Sequence, residues 1–326
     1  MTPAHIFSPA PDPQVVRRLH HRITQWYAAA SRDLPWRHPD CSAWGVLVSE
    51  IMLQQTPVVR VLPRWSEWMR RWPHPVDLAH ADTADVLRAW DRLGYPRRAL
   101  RLQAAARVIV ERHGGQVPQD HSALLALPGI GAYTAAAVAV FAFGDRQTVV
   151  DTNIRRVQAR VVTGTALPAT SLNAAETRLA DQLMPEDREL SVAWNQAVME
   201  LGALVCTARS PSCTQCPVSF DCAWVAAGSP PPVVPPKGQK WHGTDRQVRG
   251  AVMAVLRAAD EPVPEDWLTT ATHISVGPEH QVSTATQQQL DKLLILDAPP
   301  QQRRRAVRGL IHDGLAIRQA GGISLP

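Results

Sequence analysis

The sequence predicts an all-α body followed by a small α+β domain, on three observations. Up to about residue 228, apolar side chains recur at helical spacing, and no convincing run alternates apolar with polar as a half-buried strand would. Five prolines, Pro230, Pro231, Pro232, Pro235 and Pro236, then make a stiff extended linker. Beyond it, further helical patterns end in two short apolar stretches flanking Ala320-Gly321-Gly322, the pattern of a hairpin. The expected organisation is a disordered tail (1–13), a helical region (14–228), a linker (229–243) and a winged-helix-like domain (244–326).

Helices are expected in order. In Gln14–Ala30, Val15, Val16, Leu19, Ile23, Trp26 and Tyr27 form one face. A loop, Arg32-Asp33-Leu34-Pro35-Trp36-Arg37, leads to a helix over Ala43–Gln55 capped by Ser42. Thr56-Pro57 reads as a fresh start, a cap followed by proline. Helices follow at Pro75–Ala81, Thr83–Leu93, Pro96–His113 and Ser122–Ala126, with Gly94 and Gly114 as C-caps. The arginines Arg97, Arg98, Arg101 and Arg107 read as a solvated face. Ala132–Phe143, Asn153–Val161, Leu172–Met184 and Ser191–Val205 complete the body. In the last domain, Thr244-Asp245-Arg246-Gln247 fits a capping box. Helices follow at Pro264–Ala271, Ala285–Leu296 and Gln301–Asp313. The last carries Arg303, Arg304, Arg305 and Arg308, a basic face suited either to DNA or to solvent.

Composition narrows the partners. The formal net charge of the 326 residues is +5 and the pI about 9.2, which suits a polyanion. Met1–Gln14 lacks the pattern of a signal peptide, and the longest apolar run, Ala135–Phe143, is too short to cross a bilayer. A cytoplasmic monomer with no membrane partner is expected.

Three stretches carry chemistry. Leu127-Pro128-Gly129-Ile130-Gly131-Ala132-Tyr133-Thr134 reads as a tight bend between two helices. Unpaired N–H groups at Gly129 and Gly131, ahead of a helix N-terminus, make a site for a phosphate. Val149-Val150-Asp151-Thr152-Asn153 places a carboxylate at a helix start, in the simplest case as an N-cap. In Val46-Leu47-Val48-Ser49-Glu50-Ile51-Met52-Leu53, Glu50 lies among apolar neighbours. A buried glutamate has a raised pKa and is a candidate general acid.

Cys206, Cys213, Cys216 and Cys222 form C-x6-C-x2-C-x5-C, the other cysteine being the distant Cys41. Thiolates so close in an intracellular protein suggest a metal rather than disulfides. Structural zinc and a cubane iron–sulfur cluster both take four thiolates, although zinc more often uses two CxxC knuckles.

Together these stretches resemble the helix-hairpin-helix (HhH-GPD) DNA glycosylases, over about residues 14–228. The cysteine spacing is similar to the 4Fe–4S loop of the endonuclease III branch. Within that branch the likeness is to the MutY-type adenine glycosylases, through Leu34-Pro35-Trp36-Arg37, Ser49-Glu50-Ile51-Met52-Leu53-Gln54-Gln55-Thr56, Leu93-Gly94-Tyr95 and Val150-Asp151-Thr152-Asn153. Tyr133 stands where strand-cleaving relatives carry a lysine, so the resemblance implies a monofunctional enzyme. It implies that Glu50 protonates a flipped adenine and later activates water, and that Asp151 stabilises or traps the oxocarbenium ion. Tyr133 is expected to position Asp151 or line the pocket, and Asn153 to hold Asp151 and Glu50. Arg37 and Gln196 are expected at the adenine edge, with Trp36, Leu53 and Val58 as pocket walls. Gln55 and Tyr95 are expected to enter the stack near the opposite base, and Thr56, in Gln54-Gln55-Thr56, is expected among the substrate-binding residues that favour adenine. The implied partner is double-stranded DNA with adenine opposite 8-oxoguanine or guanine.

The likeness has departures. No Nudix-like domain is found after residue 240. Pro96 follows Tyr95 where a second tyrosine is common, and Thr152 replaces a glycine. The alternatives are a thymine or uracil mismatch glycosylase of the same superfamily and a non-catalytic iron–sulfur DNA-binding regulator. A pure binder needs neither Glu50 nor Asp151.

Overall fold

The computed structural model describes residues 11–234, 238, 240–273 and 282–326. Before the proline run come α1 (Pro13–Ala30), α2 (Ala43–Leu53), α3 (Val58–Arg71), α4 (Pro75–Ala79), α5 (Thr83–Trp90), α6 (Arg97–His113), α7 (His121–Leu125), α8 (Ala132–Phe143), α9 (Thr152–Gln158), α10 (Ala174–Gln182), α11 (Arg188–Leu204) and α12 (Ala223–Ala226). After it come α13 (Asp245–Ala258), α14 (Glu265–Thr269), α15 (Thr284–Ile295), α16 (Pro300–His312), β1 (Ile317–Gln319) and β2 (Gly322–Ser324). The strands are antiparallel, with Arg318 opposite Ile323, and Val263 bridges to Ile323 on the other side. No described helix is long and apolar enough to cross a membrane.

Several boundaries differ from expectation for local reasons. Most of the tail 1–13 lies outside the described residues, but Asp12 caps α1 and Pro13 opens it. α2 stops at Leu53, because Gln55 adopts a left-handed backbone (φ 54°) that no helix continues. Thr56 does not cap α3; its hydroxyl donates to Leu93 O at 3.0 Å, and Pro57 takes the cap position. The arm of the expected capping box reaches one residue further, with Gln247 Oε1 accepting from Gly243 N–H at 2.8 Å. Pro235 and Pro236 of the linker lie outside the described residues.

The chain divides into two compact units. The first comprises Met1–Glu50, Pro118–Ala126 and Ile130–Pro236; the second Ile51–Val117, Leu127–Gly129 and Lys237–Pro326. The first is built on one apolar core from α1 (Leu19, Ile23), α8 (Ala137, Val140), α9 (Ile154, Val157) and α11 (Trp194, Val198, Leu201). α9 and α11 lie so close that a Cβ on Gly202 would meet the Asn153 Cβ at 2.7 Å, so glycine is required there.

In the second unit, Trp68 packs edge-on against Trp72 and Trp90. Arg98, expected on a solvated face, is 7% exposed. One of its terminal nitrogens donates to the carbonyls of Ile51, Met52 and Gln54, closing the end of α2. The other donates to Thr56 Oγ1 and to the carbonyls of Leu93 and Gly94. One buried cation thus ties the Gln55 turn to the Tyr95 turn. Arg98→Met leaves these carbonyls without their donor. The expected cost is about 3 kcal/mol or more, read as a thermal midpoint lower by several degrees.

The basic face of α16 is also partly engaged. Arg303 is buried and donates to Ala271 O, and Arg305 pairs with Asp245. Arg304 and Arg308 remain exposed.

Candidate active site

α2 presents Glu50 inside the first unit, 5% exposed, and α8 brings Tyr133 to it. The Tyr133 hydroxyl donates to Glu50 Oε2 at 2.9 Å. Of the two expected roles, positioning Asp151 or lining the pocket, the bond supports neither directly: Tyr133 bonds to the general-acid candidate. Burial pushes the Glu50 carboxyl up to about 7; the Tyr133 bond opposes this, the charge of Asp151 adds to it, and Arg37 opposes it. Burial likewise raises the Tyr133 phenol well above its ordinary value, so it stays a neutral donor.

Asp151 is the N-cap of α9. Its Oδ1 accepts from Ile154 N–H at 2.6 Å and its Oδ2 from Asn153 Nδ2 at 2.8 Å. Burial raises this carboxyl too, but the N–H groups of Ile154 and Asn153, the Asn153 side chain and the charge of Arg156 work against it. The two environments differ in kind. Asp151 has donors that favour its ionised form, whereas burial and the neighbouring negative charge favour a proton on Glu50.

Asn153 holds Asp151 but makes no hydrogen bond to Glu50. Its Oδ1 accepts from Arg156 Nη2 at 2.8 Å, and the Arg156 guanidinium also donates to Gly202 O and Cys206 O at 2.6 and 2.7 Å. Asp151 is thereby linked through two side chains to the backbone of the first cysteine.

Arg37 and Gln196, expected together, meet around Tyr27, which the sequence marked only as part of an apolar helix face. Tyr27 donates its hydroxyl to Gln196 Oε1 at 3.2 Å, and the Arg37 guanidinium lies 5.7 Å from the centre of the Tyr27 ring. Arg37 is engaged: its Nη2 donates at 2.8 Å to Glu200, which is fully buried on α11 and also held by Arg32. Burial would raise the Glu200 carboxyl, yet the bonds from Arg32 and Arg37 outweigh it and bring it to about 2. Arg37 is thus anchored at both ends of its guanidinium fork, Nη2 on Glu200 and Nη1 on Arg32 O at 3.4 Å. Trp36 is buried in the preceding turn.

The four cysteines line one pocket with Val157, Arg160, Leu201 and Trp224. Arg160 Nη1 lies 3.4 Å from Cys206 Sγ and its guanidinium stacks on Trp224, so a cation already faces the sulfurs. Burial pushes the Cys216 thiol up to about 11, and the other three cysteines add to the rise. Such thiols ionise together only where a metal group compensates them. Among the described residues, no group of three or more His, Cys, Asp or Glu is arranged to hold a single metal ion. A ring of sulfurs around a pocket suits a polynuclear cluster, whose irons are spread apart, and these residues fit one.

The remaining predicted residues, Gly131 apart, fall in the second unit. Leu53 and Val58 are partly buried and Thr56 is buried. Gln55 and Tyr95 are exposed, and both have left-handed backbones (φ 54° and 46°). The Arg98 bonds hold the turns that carry them. Gly129, also in this unit, needs to be glycine twice over. Its φ is 77°, and a Cβ would meet the Arg101 side chain at 2.6 Å. In the first unit, Gly131 caps α8 without a side-chain bond to the first amides of that helix.

Residues 48–177 match the HhH-GPD superfamily base excision DNA repair protein model, and residues 206–222 match the iron–sulfur binding domain of endonuclease III. An adenine DNA glycosylase of Mycobacterium tuberculosis is 47% identical over 96% of this chain and 95% of its own length. The human adenine DNA glycosylase is 42% identical over 67% of this chain and 41% of its own. Among solved structures, a thermostable thymine-DNA glycosylase superposes with a TM-score of 0.59 at 29% identity, covering 66% of this chain and 98% of its own. A DNA-bound endonuclease III superposes with a TM-score of 0.57 at 21% identity, a likeness of fold.

Proposed function

Since the chain belongs to the HhH-GPD superfamily of base excision DNA repair proteins, as a member of its adenine DNA glycosylases with an iron–sulfur cluster, we propose that Cys206, Cys213, Cys216 and Cys222 hold that cluster and that the protein removes adenine mispaired with 8-oxoguanine or guanine by hydrolysis, without cutting the strand. The observation that carries this reading is the buried Glu50 carboxyl, raised to about 7 and bonded to Tyr133. A carboxyl in that range holds a proton near neutral pH and passes it on readily.

The hairpin amides around Gly129 and Gly131 anchor a phosphate of double-stranded DNA, and the adenine turns out of the stack. Glu50 donates its proton to N7 of adenine, so the base departs neutral. Asp151, whose ionised form its N–H donors favour against the rise that burial imposes, faces the oxocarbenium ion and stabilises or captures it. Glu50, now a carboxylate, takes a proton from the attacking water. Tyr133 holds the Glu50 carboxyl in one orientation, and Asn153 does the same for Asp151. Arg37 and Gln196 meet the adenine edge, with Trp36, Leu53 and Val58 as walls. Gln55 and Tyr95 enter the stack beside the opposite base, and Thr56 is proposed among the substrate-binding residues. Tyr133 offers no amine, so no Schiff base forms and the sugar is left intact. Cys206, Cys213, Cys216 and Cys222 would hold the cluster, which would tie their loop to the core that carries α9 and Asp151. Both carboxylates come from one chain, so a monomer suffices, working in the cytoplasm at the nucleoid.

The released base identifies the substrate. With adenine opposite 8-oxoguanine, chromatography is expected to recover one free adenine per duplex, while a thymine–guanine duplex yields no free thymine. Free thymine without adenine would instead favour the thymine mismatch reading, consistent with a 32% identical thymine-DNA glycosylase of Aeropyrum pernix.

A further inference from the structure

The second unit joins Lys237–Pro326 to the helices that carry the Tyr95 turn. The C-terminal segment is fastened there by side chains. Arg257 Nε donates to Leu87 O at 3.0 Å and Arg88 Nη2 to Ala259 O at 3.3 Å, joining α13 to α5. Asp313 accepts from Arg97 at the start of α6 and from Arg249 of α13, at 3.3 and 2.6 Å. At the edge of this junction, Arg246 Nη1 lies 3.5 Å from the Tyr95 hydroxyl. The Arg246 guanidinium lies over the ring of Trp241, 5.1 Å from its centre. The other face of the arrangement is Arg98, whose guanidinium is 5.8 Å from the centre of the Tyr95 ring. An exposed tyrosine on a left-handed backbone is thus held by one arginine at its ring and another at its hydroxyl.

We propose that Arg246, supported by Trp241, is a positioning residue for Tyr95, and that through it the C-terminal segment sets how strongly 8-oxoguanine is preferred to guanine opposite the adenine. The inference rests on the adenine glycosylase reading. Its chemistry is that of a donor and a missing acceptor. Arg246 can only donate, so the phenolic oxygen accepts from it and the phenolic hydrogen points elsewhere, available to DNA. 8-Oxoguanine carries a carbonyl oxygen at C8 where guanine carries C–H. A donor fixed toward that position gains a partner only from the lesion, and a site built this way discriminates strongly. A tyrosine free to swing discriminates less.

The test uses the full chain and duplexes carrying a non-cleavable 2′-fluoro-2′-deoxyadenosine opposite 8-oxoguanine or guanine. Kd is measured for both with the wild type, Arg246→Ala, Arg246→Lys, Tyr95→Phe and the double variant Arg246→Ala/Tyr95→Phe. Arg246→Ala and Tyr95→Phe are each expected to reduce the preference for 8-oxoguanine by about five- to tenfold. The double variant is expected to lose no more than either alone, and Arg246→Lys to recover part of the preference. With Arg246→Ala, the rate of adenine release at saturating enzyme is expected to stay within about twofold of wild type. An unchanged preference, or losses that multiply in the double variant, overturns the proposal. If Arg246→Ala fails to fold, shown by lost cluster absorbance, Arg246→Lys and Tyr95→Phe decide it, and equal preference to wild type in both counts against it. A wild-type protein that releases no adenine sinks the enzymatic reading itself, and this inference with it. A wild type that releases adenine while the variants keep their preference removes only the inference.

Discussion

Glu50→Gln is expected to reduce the single-turnover rate of adenine release by about a thousandfold or more, while affinity for the duplex and cluster absorbance stay near wild type. The amide fills the same volume and still accepts from Tyr133, so the loss reports the missing proton rather than a damaged core. pH dependence gives a second signature. Burial raises the Glu50 carboxyl to about 7, so its proton-carrying form predominates below that pH and disappears above it. The wild-type rate should fall as pH rises through about 7, and the residual rate of Glu50→Gln should show no such limb. A variant that keeps a tenth of the rate, or the same alkaline limb, would remove Glu50 from its role.

Asp151→Asn is expected to cost about a thousandfold, by a different route. Asparagine caps helices as well as aspartate does, so the bond to Ile154 N–H survives and α9 keeps its start. What disappears is the negative charge proposed to face the sugar cation, together with the acceptor for Asn153 Nδ2. The melting temperature should change little while the chemical step collapses. Burial raises the Asp151 carboxyl above its ordinary value although the N–H donors and Arg156 oppose the rise, so the advantage of wild type over Asp151→Asn should shrink as pH falls through that raised value. A large fall in melting temperature with a rate near wild type would make Asp151 a cap and no more.

The parts of the site that were legible in the sequence are those written in local chemistry. Gly129 could be read because a bend with φ near 77° leaves few alternatives to glycine. Glu50 could be read because apolar residues flank it on a short helix, and the cysteines because their spacing is itself a ligand pattern. Charged residues that turn inward were not legible. Arg98, among the arginines of α6, has the local sequence of a solvated residue, yet it closes the end of α2 and the Tyr95 turn. Glu200 and Arg156 likewise find their partners on other elements, Glu200 in Arg32 and Arg37, Arg156 in Gly202 and Cys206. Which carbonyl an arginine meets is decided by how helices pack, and a run of residues along one helix does not contain that. The same holds for Tyr27, whose spacing marks it as core while its hydroxyl reaches Gln196. The one available signal was chemical: Arg32 and Arg37 bracket a loop whose charge needs an acid partner.

The central claim, hydrolytic removal of adenine by a carboxylate pair with a tyrosine in place of a catalytic amine, is tested most directly by splitting one reaction. Duplex with adenine opposite 8-oxoguanine is incubated with the protein, and half is treated with alkali before the strands are separated. Strand breaks that appear only in the alkali-treated half, with none in the other, are the predicted result. Equal breakage in both halves would show that the protein cuts the strand itself, and would contradict the role assigned to Tyr133 and the hydrolytic mechanism with it.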